Sequence, residues 1–128
     1  MKQKSERSRD AERLMPSETS RVGENVTYHK VATAADIQDG TMKIVFVGIK
    51  RLVVYRVEGR YYCTQNLCPH AGAHLGTGTL KGKVVLCPRH QWGFDIESGN
   101  CLTDPIYDIR TFSTRVCEDG FVWVEVPD

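Results

Sequence analysis

The stretch from Cys68 to His90 constrains this chain more than any other. It reads Cys68-x-His70, sixteen residues, then Cys87-x2-His90. The sequence holds four histidines, and two of them stand just behind cysteines in two similar loops. Each loop offers one soft thiolate and one imidazole, a combination suited to a metal. Pro69 and Pro88 follow the cysteines and stiffen each loop by fixing φ. Gly72, Gly76 and Gly78 permit tight turns in which peptide N–H groups can face inward. Zinc takes Cys2His2 tetrahedrally, but its usual knuckles pair like ligands, cysteine with cysteine and histidine with histidine. A mixed pair in each loop suits a two-iron centre with both cysteines on one iron and both histidines on the other.

The rest of the chain reads as the scaffold for these loops. At 128 residues it fits one domain, and 41% apolar residues suffice for a packed core. From Val26 the texture is that of a β protein. Met42–Val47 and Leu52–Val57 are β-branched runs, with a hairpin expected over Gly48-Ile-Lys-Arg51. Glu58-Gly59 predicts a two-residue turn into Arg60–Cys63. Further strands are expected at Lys83–Cys87, Trp92–Asp95 and Ile109–Val116. After the Asp119-Gly120 turn, Val122, Val124 and Val126 alternate with Phe121, Trp123 and Glu125. No segment from Val26 onward has sustained helical periodicity, so the fold class is all-β, an antiparallel sandwich or small barrel. Residues 1–25 are charged and poor in β-branched residues. They read as a flexible charged tail, with a short helix conceivable around Asp10–Leu14.

Charge and hydropathy remove several functions. A net charge of +1 gives no basic field for nucleic acid. Apolar runs such as Ile44–Val47 are far too short to span a bilayer, and the N-terminus lacks a secretory apolar stretch. A cytoplasmic protein without membrane contact is expected. Five cysteines, an odd number, fit metal ligation and buried packing better than a disulfide framework.

The segment CPHAGAHLGTGTLKGKVVLCPRHQWGFDIESG resembles the motif pair of Rieske iron–sulfur proteins, and VTYHKVATAADIQDG with VVYRVEGRYYCTQNLCPH resembles the opening of Rieske-type ferredoxins. The resemblance covers about residues 26–127. It implies one 2Fe–2S cluster on Cys68, His70, Cys87 and His90. It also implies a Rieske domain over 26–128, in which a small rubredoxin-like cluster-binding subdomain (about 64–106) is inserted in an antiparallel β base. Thr103-Asp104-Pro105 resembles the third, proline-containing loop that covers the cluster in this family.

Departures from the family pattern narrow the class. Membrane respiratory Rieske proteins carry an extra cysteine in each loop, and these form a disulfide; here the positions hold Ala73 and Arg89. Those high-potential proteins also place a serine and a tyrosine where this chain has Trp92 and Phe94, neither with a hydroxyl to donate to sulfur. Fewer donors stabilise the added electron less, so a potential toward the low end of the Rieske span of about −150 to +300 mV is expected. A terminal oxygenase would need a second iron site with two histidines and a carboxylate, and no histidine follows His90. The chain should therefore carry electrons without making bonds. The resemblance implies a soluble carrier between a flavin-dependent reductase and a terminal oxygenase, docking near His70 and His90. The small subunit of an assimilatory nitrite reductase and a zinc-stabilised binding module are the alternatives. Trp92 is expected to pack beneath the second loop, and His74 to be a surface histidine with no function. Cys63, Cys101 and Cys117 are expected to pack without ligating.

Overall fold

The run Leu52-Val-Val-Tyr55 is apolar at every position, so a strand built from it must be covered on both faces. The computed structural model describes residues 19–22, 26–70 and 72–127. In it this run lies within β4 (Lys50–Val57). β4 pairs with β3 (Thr41–Val47) and β5 (Arg60–Gln65), and β9 (Thr111–Phe112) lies beyond β5. Leu52 and Val54 enter one buried cluster with Val45, Cys63, Val122 and Val124. Val53, Tyr55 and Val57 enter another with Leu75, Val85, Phe94 and Ile96.

Each cluster is closed by a further sheet. Val122 and Val124, in the first cluster, come from a four-stranded sheet ordered β1 (Thr19–Val22), β2 (Val26–Thr33), β11 (Phe121–Pro127) and β10 (Thr114–Val116). Val85 and Phe94, in the second, come from a three-stranded sheet of β6 (Thr79–Lys81), β7 (Val84–Leu86) and β8 (Gly93–Asp95). Every ladder among these strands is antiparallel. The fold is all-β, and only single 3-10 turns interrupt the strands among the described residues.

The turns follow local chemistry. Glu58 and Gly59 both take positive φ, 53° and 79°, as a two-residue hairpin of right-handed twist requires. The Asp39 carboxylate accepts from both of their N–H groups, at 3.2 and 2.7 Å. The β3–β4 hairpin is tighter than expected. Val47 pairs with Lys50, so only Gly48-Ile49 turns, and Lys50 and Arg51 extend the strand.

One expectation needs correction. Within the span assigned to a flexible tail, Thr19–Val22 is a strand, paired residue for residue with Val26–His29. Here edge pairing supplies backbone hydrogen bonds that the segment's polar composition does not advertise. The rest of that span, with the conceivable helix at Asp10–Leu14, lies outside the described residues. In β11, Val122, Val124 and Val126 share one buried cluster as their alternation predicts, and Trp123 between them is buried as well; the register shift opposite Val122 and Trp123 leaves the extra residue, Val31, in β2. The indole N–H of Trp123 is satisfied by Asp119, at 3.3 Å.

Candidate metal centre

The two Cys-His loops leave the ends of β5 and β7. The first is closed at its base by a bridge between Leu67 and His74, and within it Cys68 N–H donates to Ala73 O at 2.8 Å and Gly72 N–H to Cys68 O at 2.7 Å. Asn66, only 1% exposed, ties this loop down. Its side-chain oxygen accepts from Gly76 N–H at 3.1 Å, and its amide nitrogen lies 2.6 Å from His74 Nδ1. With the oxygen committed to Gly76, the amide nitrogen donates and His74 Nδ1 accepts. His74 is thus a half-buried structural partner, not the idle surface residue expected.

The second loop is narrower. Cys87 N–H donates to Trp92 O at 2.8 Å, so the chain reverses between them. His90 and Gln91 achieve the reversal with φ of 65° and 58°, a left-handed conformation that favours glycine. The two loops approach closely at Gly78, where an added Cβ would strike the carbonyl oxygen of Leu86 and crowd Pro88.

The four candidate ligands stand as two pairs. Cys68 and Cys87 are 1% and 0% exposed and belong to the cluster of Val85 and Phe94. Their thiols are neighbours. Burial first, then the neighbouring Cys68 thiol, raise the Cys87 thiol above its ordinary pKa, while a backbone hydrogen bond from Arg89 opposes this. The histidines lie outward: His70 is half-buried, His90 is exposed, and their ring centroids are 5.4 Å apart. Among the described residues no three His, Cys, Asp or Glu side chains converge as a single-ion site requires. None of the five cysteines forms a disulfide, including the pair facing each other here.

This donor set fits a two-iron cluster held from opposite sides. Among the described residues, His70 Nδ1 is buried and has no hydrogen-bond partner. Buried polar atoms are rarely left so, and an imidazole nitrogen in this setting is available to a metal.

A third segment flanks the pair of histidines. Leu102 N–H donates to Gly93 O at 2.8 Å, and Thr103 Oγ1 accepts from Gly93 N–H at 3.2 Å, which stitches Thr103-Asp104-Pro105 to β8. Asp104 then caps a single turn over Pro105–Tyr107 by accepting from Ile106 N–H at 3.3 Å. This brings Tyr107 beside the loops. Its ring meets the His70 ring edge-on, at 6.0 Å between centroids, and the Trp92 ring likewise, at 5.4 Å. Trp92 itself lies flat on His70, with centroids 3.7 Å apart and planes 11° from parallel. Sequence reasoning put Trp92 beneath its own loop and passed over Tyr107 and Asn66. Nothing in local spacing reveals a partner on another loop. Phe94 does sit in the core, fully buried and with no hydroxyl to offer.

Comparison with known proteins agrees with this geometry. Residues 27–113 match the family model described as the Rieske [2Fe-2S] domain. The chain is 40% identical over 102 residues to ferredoxin CarAc of Metapseudomonas resinovorans, covering 78% of this chain and 94% of that protein. It is 36% identical over 92 residues to the ferredoxin component of the naphthalene 1,2-dioxygenase system of Pseudomonas putida, covering 71% and 88%. Among solved structures, a complex of reduced oxygenase and oxidised ferredoxin in carbazole 1,9a-dioxygenase contains a chain that matches with a TM-score of 0.69 at 38% identity, over 76% of this chain and 91% of that one.

Proposed function

Since this chain belongs to the Rieske [2Fe-2S] family, we propose that it is a one-electron carrier that takes electrons from a flavin-dependent reductase and delivers them to a terminal oxygenase. Cys68 and Cys87 hold one iron of its cluster, and His70 and His90 hold the other. Residues of about 64–106 form the cluster-binding subdomain, 26–128 the Rieske domain, and the cytoplasm is its compartment. The observation that carries the ligand assignment is the orphaned, buried Nδ1 of His70 beside an exposed His90, with two apposed thiols behind them in the core.

When bound, the cluster accepts and returns a single electron. The protein's own residues determine where that electron can leave. The thiol side is walled by Val85, Leu75 and Phe94, so no partner can approach it. The imidazole side reaches the surface through His90, and docking near His70 and His90 gives the shortest path to an acceptor. A carrier that must serve two partners in turn needs a small interface that releases quickly. Trp92 and Phe94 supply no hydroxyl at the positions noted above, so the potential is set low.

Reconstitution tests the reading. Cluster-loaded protein should be reduced by a reductase of a naphthalene- or carbazole-type system and re-oxidised by the matching oxygenase, in proportion to the cluster present. Permanent association with a large nitrite reductase, with no transfer to an oxygenase, would overturn it. Protein-film voltammetry should place the midpoint below zero near neutral pH; a value above about +150 mV would contradict the low-potential assignment.

A further inference from the structure

The contact between Trp92 and His70 joins the two loops through their side chains, and it is made by a residue that is not a candidate ligand. The Trp92 backbone is fixed by its bond to Cys87 N–H, and its strand neighbour Gly93 is held by Thr103 and Leu102. Its half-buried ring lies flat on His70, while Tyr107 abuts both rings from the third loop. Stacking over one face of an imidazole limits rotation of the ring about its bond to Cβ. It therefore restrains the direction in which Nδ1 points.

Resting on the ligand assignment above, we propose that Trp92 is a positioning residue for His70: it fixes the imidazole plane across the two loops and, with Tyr107, keeps water from that side of the histidine-held iron. Two consequences for the potential share a sign. Excluding water withholds solvation from the extra negative charge of the reduced state. The face of an indole is the negative part of its quadrupole, so it too disfavours added electron density nearby. Both lower the potential. A residue at this position thus sets how readily the protein gives up its electron, with no hydrogen bond to sulfur.

Three cluster-loaded variants test this: Trp92→Phe, which keeps an aromatic face; Trp92→Leu, which fills space without one; and Trp92→Met as a less branched replacement should the leucine variant hold no cluster. The readouts are midpoint potential and pulsed-EPR nitrogen couplings of the reduced protein. The phenylalanine variant should match the parent in both. The aliphatic variant should show a raised potential and a change in one of the two histidine couplings, with the other unmoved. A Trp92→Leu or Trp92→Met protein with the parent's potential and couplings overturns the proposal. A parent protein without two nitrogen couplings would instead overturn the ligand assignment beneath it, so the two failures are distinct.

Discussion

At the scale of single residues, the second loop stores strain. His90 and Gln91 occupy consecutive left-handed positions, a conformation that costs a non-glycine residue about 1–2 kcal/mol. His90 is a candidate ligand, but Gln91 is exposed and has no such reason to stay. Replacing Gln91 by glycine should raise stability by up to about 1 kcal/mol after the entropy of the freer unfolded chain is subtracted. A higher thermal midpoint checks this; an unchanged or lower one would show the loop to be relaxed there. Asn66 is the opposite case. Its amide serves Gly76 and His74 in a buried setting, so Asn66→Ala should cost about 1–3 kcal/mol, read from the shift in denaturation midpoint. The four candidate ligands were legible in the sequence because their spacing is local to each loop. Asn66, Trp92 and Tyr107 were not, because each acts through a partner whose nearness depends on how the loops fold over one another.

At the scale of elements, the design depends on strands that bring two loops within touching distance. β6 and β7 pair from Thr79 with Leu86 to Lys81 with Val84, and this ladder sets Gly78 against the backbone of Leu86. A backbone carbonyl cannot swing aside as a side chain can. Gly78→Ala should therefore cost about 1–3 kcal/mol through overpacking and lower the iron bound per chain, since the loops can no longer close. Iron analysis with thermal unfolding measures both; full loading at parental stability would contradict it. Strand positions were readable wherever β-branched runs met turn residues, as at Glu58-Gly59. They were misread where pairing overrode composition. Thr19–Val22 gains its structure from its pairing with β2. In the same way Ile109–Val116, expected as one strand, is broken at Ser113 into β9 and β10, which join different sheets.

At the scale of the whole molecule, three layers bury acidic groups that must stay neutral. Burial raises the pKa of Cys63 and of Tyr55, the latter despite its hydrogen bond with Thr64 at 2.8 Å. Burial, then Asp119, push Cys117 from 9.0 up to about 11. In each case the folded chain holds its proton to higher pH than the unfolded chain does, so unfolding releases protons and stability falls as pH rises. The contribution is intact below pH 9.0 and declines above it, that from Cys117 levelling off near pH 11. Denaturation midpoints measured from pH 7 to 11 should be flat and then fall; a rise across the alkaline range would contradict the burial of these groups. The same layering puts the sulfur pair in the core and the imidazole pair at the rim, and that asymmetry is the central claim. Pulsed EPR of the reduced, iron-reconstituted protein tests it most directly. The account predicts coupling to two histidine nitrogens from a centre with two irons per chain, both couplings vanishing when His70 and His90 are replaced together. A centre with no histidine nitrogen coupling, or a chain that binds zinc and less than one iron, would contradict it.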